Sequence, residues 1–236
     1  MGACKGTAVL SHGAGGSENG LAYLARFLQK QGWHALVIGH QESGRSALRA
    51  KMPGLDVKAG LTALITDKQA YLARFADIQA ALAWSRARCQ NPFTVLIGHS
   101  MGAATTMLAA GAKNRLGLDT RIAFDAYIAM SPQGVGRIFP NHAWSSITAP
   151  VYSLTGTEDR ELDSDWRSRL TAYRSMPSGC KRLGVIEGAN HMAFGRGGSS
   201  DQEALITGSI LAFLNDVKTK NCLHPFRAPG IVVESK

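Results

Sequence analysis

Short apolar runs bounded by glycine alternate along the chain with stretches in which apolar residues recur every three or four positions. The first run, Thr7 to Leu10, reads as a strand and breaks at Ser11-His12-Gly13-Ala14-Gly15-Gly16. Leu21, Leu24, Ala25 and Leu28 then share one face of a helix that Gly32 stops, and Trp33 to Ile38 reads as a second buried strand. Gly39 to Lys68 is polar and punctuated by Gly39, Gly44, Pro53-Gly54 and Gly60, which predicts a long loop with one or two helical turns. Loops of that length in compact domains often carry function. Tyr71, Leu72, Phe75, Ile78, Leu82 and Trp84 mark an amphipathic helix, with Pro92 closing its exit. Strands over Thr94 to Ile97, Ile122 to Met130, Val151 to Thr155 and Lys181 to Ile186 then alternate with helices over Ser100 to Lys113, Leu162 to Tyr173 and Gln202 to Val217. Lys218 to Lys236, with Pro225 and Pro229, reads as an extended tail. The alternation predicts one α/β domain over residues 1–236, with a mostly parallel sheet of about six strands covered by helices on both faces. A site in such a sheet belongs beyond the C-terminal strand ends.

Composition narrows the class. With 45% hydrophobic and 18% charged residues among 236, the chain has material for a sizeable core and is not disordered. Its apolar runs fall short of the roughly 18 residues a membrane-spanning helix needs. The balance is basic, 26 Lys and Arg against 17 Asp and Glu, for a net charge of +9. The charges are scattered, and the densest stretches, Arg45 to Lys51 and Arg167 to Arg174, lack the interleaved aromatics of a nucleic-acid platform. They read as solvated surface, with no nucleic-acid partner. Cys4, Cys89, Cys180 and Cys222 form no CxxC and have no zinc spacing, so buried or free thiols are expected. A single bridge such as Cys180 to Cys222 would fit an oxidising compartment, but the spacing alone does not pair them. Met1-Gly2-Ala3 leads almost at once into an apolar strand without the regions of a signal peptide. The compartment is therefore cytoplasmic or, if a leader has been removed, periplasmic or secreted.

The candidate chemistry sits at predicted strand ends. Gly98-His99-Ser100-Met101-Gly102 lies directly after a strand and directly before a helix. A sharp turn there strains its central residue and pushes the side chain out, and glycines flank it because a Cβ would clash across the turn. Ala103 and Ala104 let the helix pack close to the sheet. As a nucleophile Ser100 would gain the helix N-terminus and the Met101 N–H. The glycine-rich turn at Ser11 to Gly16 exposes backbone N–H groups, and Ala14 is the candidate second donor to an oxyanion. That turn lacks the spacing of a phosphate or dinucleotide loop, and His12 reads as structural. A serine nucleophile needs a base and an acid to orient it. Asp159 and His191 each follow a strand, in the chain order Ser, Asp, His. Glu158 and Asp163 are rival acids, Asp163 reading as the start of a helix. His34, His40, His99, His142 and His224 read as core, packing or loop residues, and no set has metal-ligand spacing.

These motifs resemble those of α/β-hydrolases over Thr7 to about Val217, and among them the dienelactone-hydrolase-like and platelet-activating-factor-acetylhydrolase-like carboxylesterases, which include bacterial polyester hydrolases. The matching pieces are His12-Gly13, Gly98 to Gly102, Ser131-Pro132-Gln133-Gly134, Thr155 to Asp159 and Ala189 to Gly195. The resemblance implies Ser100 as nucleophile, His191 as base, Asp159 as acid, and the Ala14 and Met101 N–H groups as oxyanion hole. By the same resemblance the chain begins at what would be the third strand of the superfamily, so the expectation is either a sheet trimmed at its start or N-terminal strands that precede the given sequence. Ser131 to Pro150 is too short for a large lid, which favours small or exposed esters. Gly39 to Lys68 could form one wall of the site, and Phe139, Trp144 and Phe194 could line a pocket or fill the core. The expected function is a cofactor-free serine carboxylesterase with an acyl-enzyme intermediate. Its rivals are an acyltransferase or peptidase with the same triad and a non-catalytic binding protein of this fold, and the oligomeric state is left open.

Overall fold

The computed structural model describes residues 4–119, 121–160, 162, 165–222 and 226–236. Met1 to Ala3, Asp163 and His224 lie outside the described residues. In chain order the elements are β1 (Thr7–Ser11), α1 (Ala22–Lys30), β2 (His34–Ile38), α2 (Arg45–Ala50), α3 (Val57–Ile65), α4 (Lys68–Arg86), β3 (Thr94–His99), α5 (Met101–Ala109), β4 (Ala126–Met130), β5 (Val151–Glu158), α6 (Trp166–Ser175), β6 (Lys181–Asn190), α7 (His191–Arg196), α8 (Ser200–Thr219) and β7 (Ile231–Ser235).

The strands form one sheet in the order β2-β1-β3-β4-β5-β6-β7. Every neighbouring pair is parallel except β6 and β7. The alternation of a buried strand sorts the core into two layers. Ala8 and Leu10 of β1 pack with Leu24 and Leu28 of α1, Phe194 of α7 and Ile210 and Phe213 of α8. Val9, between them, faces the layer built from Leu64 of α3, Tyr71, Phe75 and Ile78 of α4, and Met101 to Ala109 of α5. All nine residues of α5 are buried, and its Gly-Ala-Ala start is what lets its backbone lie against the sheet.

Three expectations change. The segment 39–68 is not mainly loop: it holds α2, α3 and two short 3-10 turns, Gln41–Ser43 and Pro53–Leu55, and Asp56 caps α3 by accepting from the Ala59 N–H. Gly44 caps α2 and Gly54 sits in the turn between α2 and α3, while Gly60 is buried inside α3. Second, Lys218 to Lys236 is not merely an extended tail. Its last residues form β7, a seventh strand antiparallel to β6, with Ile186 opposite Ile231 and Arg182 opposite Ser235. Third, the cysteines are not free: Cys4 is bonded to Cys89 and Cys180 to Cys222, with Cα atoms 5.6 and 5.3 Å apart. Helix limits shift for local reasons. Asp165 accepts from the Arg167 and Ser168 N–H groups and so starts α6 at Trp166, and Gly111 at φ 99° ends the run after α5.

Candidate active site

Ser100 sits between β3 and α5 with φ 55° and ψ −117°, a left-handed backbone that a side chain rarely adopts. The strain is held on both sides: Ser100 N–H donates to the Met130 carbonyl at 3.0 Å, and its own carbonyl accepts from Ala104 at 3.0 Å. A Cβ on Gly98 would strike the Gly102 carbonyl, and one on Gly102 would strike the Ser11 carbonyl, so the turn closes only with glycine at both places. Met101 opens α5, where its N–H is one of the donors a helix leaves unpaired at its start.

The glycine turn after β1 lies against this elbow. Gly15 N–H is spent on the Ser43 carbonyl at 2.8 Å and Gly16 N–H on the Gly13 carbonyl at 3.1 Å. Among the described residues the Ala14 N–H has no backbone acceptor. Beneath the turn is a fully buried arginine. Arg74 of α4 donates to the His12 carbonyl at 2.8 Å, to Ser11 Oγ at 3.0 Å and to Ser43 Oγ at 2.8 Å. His12 Nδ1 donates to the Gly13 carbonyl at 2.7 Å, which leaves Nε2 to accept from the His40 N–H at 3.1 Å. His40 in turn lies between Asp77, 2.7 Å from Nδ1, and Ser11 Oγ, 2.9 Å from Nε2. Burial first, and then the Arg74 guanidinium, lower the His12 pKa to about 4 and push that of His40 lower still. Both rings are therefore neutral structural parts of the loop.

β6 runs straight into α7, and His191 is the first residue of that helix. Asn190 caps it, its side chain accepting from the Met192 and Ala193 N–H groups. His191 Nδ1 donates to Asp159 Oδ1 at 2.8 Å, which presents Nε2 as the basic nitrogen. The other carboxylate oxygen, Oδ2, accepts from Thr155 Oγ1 at 2.8 Å and lies 3.0 Å from Arg169 Nε. Burial alone would raise the Asp159 pKa, but the His191 hydrogen bond and the Arg169 charge outweigh it and hold the carboxyl below its usual range. The rival Glu158 is exposed and lies 3.9 Å from Arg160. His99, the residue before Ser100, donates through Nε2 to the His191 carbonyl at 2.9 Å, so it holds the start of α7 in place.

Ser100, His191 and Ala14 line one cleft of about 420 Å³, a size that suits a small organic ligand. Leu48 of α2, Val57 and Leu61 of α3, and Met192 of α7 give it an apolar wall, and Arg45 and Arg196 stand at its rim. The segment 39–68 thus does form a wall. Phe139, Trp144 and Phe194 are not among the lining residues. All three are fully buried: Phe139 and Trp144 pack together in the core layer of α5, with ring centroids 5.1 Å apart, and Phe194 packs in the opposite layer. Large aromatics fill the layers behind the site, and the aliphatic residues of two short helices face it.

Arg74 and Arg169 were not singled out from the sequence, although it carried a signal. Each interrupts the apolar face of an amphipathic helix, Arg74 between Tyr71 and Ile78, Arg169 between Trp166 and Tyr173. A charge in that position is buried and must find partners. Among the described residues no group of three or more His, Cys, Asp or Glu side chains is arranged to hold a metal, and no helix is long and apolar enough to cross a membrane.

The comparisons agree with this architecture. The family model described as serine aminopeptidase, S33, matches residues 2–138, more than half of the chain. That stretch contains the glycine turn and the Ser100 elbow and ends before Asp159 and His191. A structure from work on LipS and LipT, two metagenome-derived lipolytic enzymes, superimposes with a TM-score of 0.63 at 18% identity, covering 91% of this chain and 95% of that one. No curated protein matches the sequence at a significant level.

Proposed function

The chain belongs to the serine aminopeptidase S33 family of α/β-hydrolases, and on that premise we propose that it is a serine carboxylesterase acting on small or exposed esters through an acyl-enzyme. The observation that carries the reading is the 2.8 Å bond from His191 Nδ1 to Asp159, behind a cleft that Ser100 and His191 both line. His191 Nε2 takes the Ser100 hydroxyl proton as Oγ attacks the ester carbonyl. The oxyanion receives hydrogen bonds from the Ala14 and Met101 N–H groups. The intermediate collapses, the alcohol leaves with the proton that His191 returns, and the same histidine activates water to release the acid. Asp159 fixes the tautomer and stabilises the imidazolium. No cofactor enters the scheme.

The family's description favours a second reading, removal of N-terminal amino acids from peptides. Such an enzyme needs a carboxylate to receive the substrate ammonium. Among the described residues the cleft lining contains no Asp or Glu, and it carries Arg45 and Arg196 at its rim, which repel that group. The ester reading therefore ranks first. Hydrolysis of a p-nitrophenyl ester panel, C2 to C12, beside aminoacyl p-nitroanilides separates the two. The expected result is turnover of the short esters only, with kcat reduced by about 10⁴-fold or more in Ser100→Ala. A folded protein inactive on every ester, or a Ser100→Ala variant as active as the parent, overturns the reading.

A further inference from the structure

We propose that Arg169 is a positioning residue whose buried guanidinium fixes the Asp159 carboxylate against His191 and ties it to the loop after β4. The proposal rests on the esterase reading for its kinetic consequences. Its geometry stands alone. Arg169 projects from the middle of α6 and is 1% exposed. Its Nε lies 3.0 Å from Asp159 Oδ2, and its Nη1 donates to the carbonyls of Ser131 and Pro132 at 3.1 and 3.3 Å. One planar fork thus joins the ends of β4 and β5. Ser131 follows Met130, whose carbonyl accepts the Ser100 N–H, so the same fork reaches the backbone that braces the elbow. With Oδ2 accepting from Thr155 and lying against the Arg169 charge, Oδ1 is the oxygen left to His191, so the acid is held in a single orientation. Lysine, a point charge with no fork, cannot make this set of contacts.

The same residue has an electrostatic effect of opposite sign. Arg169 Nη2 lies 3.4 Å from His191 Nδ1. That nitrogen already donates to Asp159, so Nη2 is a neighbouring charge and not a hydrogen-bond partner. Among the described residues the charged and titratable groups that face the imidazole include Asp159 from the end of β5, Arg169 from α6 and the ring of His99 from β3, its centroid 4.7 Å away, while Arg196 lies on the same helix as His191. Asp159 favours the imidazolium and Arg169 opposes it. Arg169 therefore gives up some of the basicity of His191 in return for a fixed acid.

The test compares the full-length parent, Ser100→Ala, Arg169→Met and Arg169→Lys on one p-nitrophenyl ester. In Arg169→Met, kcat is expected to fall about 10- to 100-fold with KM nearly unchanged, because orientation and not binding is lost. The acidic limb of the kcat/KM profile should move up by about one pH unit as the opposing charge disappears. Arg169→Lys, which keeps the charge, should leave that limb in place and recover only part of kcat. A downfield proton resonance from the His191 Nδ1–H should be present in the parent and shifted or lost in Arg169→Met. Parental kcat, an unmoved limb and an unchanged resonance in Arg169→Met overturn the proposal. Should that variant not fold, parental kcat in Arg169→Lys overturns it equally. If the parent has no esterase activity, or Ser100→Ala keeps it, the esterase reading is what falls, and the resonance alone decides the role of Arg169.

Discussion

Arg74 does for the glycine turn what Arg169 does for the acid. Its hydrogen bonds end on the His12 carbonyl and on Ser11 and Ser43, and the Ser43 carbonyl holds Gly15, so one side chain indexes the backbone on both sides of Ala14. Arg74→Met leaves those acceptors buried without a donor, at a cost of about 2 kcal/mol in stability. It should lower kcat on short esters about tenfold, well short of the 10²- to 10³-fold that follows loss of an oxyanion donor itself. Denaturant unfolding and steady-state kinetics on the same preparation check both numbers. The buried histidines fix a pH dependence. The folded pKa of His12 is about 4 and that of His40 lower, both down from 6.5. Between pH 6.5 and 4 the unfolded chain binds these protons and the folded one does not. Stability therefore rises with pH in this window and falls on acidification, by up to tenfold in the folding constant per pH unit for each ring. Asp159 acts in a lower window: its contribution is present above the ordinary carboxylate pKa and is lost as pH falls through its depressed folded value. Urea unfolding from pH 7 to 4.5 should show the histidine slope, and His12→Gln should lose about one proton of it.

At the scale of elements, legibility followed context. β1, β3 and β4 are buried on both faces and read as continuous apolar runs, so they were visible in the sequence. The elbow was visible because strand, glycine, serine, glycine and helix occur in one uninterrupted stretch. α2 and α3 were obscured because neither has a long apolar face. They fold against each other and the glycine turn, and Leu55 at their joint is 84% exposed. β7 was obscured because two prolines precede it and the strand is only five residues long. Its alternation of Ile231 inward and Val232 outward is a strand pattern that gains meaning only beside β6. The Cys180–Cys222 bond secures that placement, joining the start of β6 to the chain between α8 and β7. Cys222→Ser should cost about 4 kcal/mol by loop entropy for a closed span of 42 residues. Ester turnover at low temperature should be nearly unaffected, since the site lies at the opposite end of the strands. Thermal unfolding with parallel activity assays measures both.

For the whole molecule, the net charge of +9 overstates how much positive charge meets solvent. Arg74, Arg169 and Arg182 are each 1% exposed or less, and Arg182 pairs with Asp216 at 2.8 Å. Reading the Arg167 to Arg174 stretch as solvated surface missed this, because a count of charges cannot see that position 169 faces inward. The long-range pairs were illegible for the same reason: Asp159 with Arg169, His40 with Asp77 and Cys4 with Cys89 depend on which layers the sheet brings together. Both disulfides lie where the strands begin, and the cleft lies where they end. The base of the protein is thus riveted while its working rim is held by hydrogen bonds, a buried ion pair and apolar packing, with no covalent tie among the described residues. When heat loosens the rim, the covalent frame still remembers which strands are neighbours. Activity lost in a short excursion should return on cooling, and the working lifetime should be set by how long the rivets survive rather than by the melting temperature.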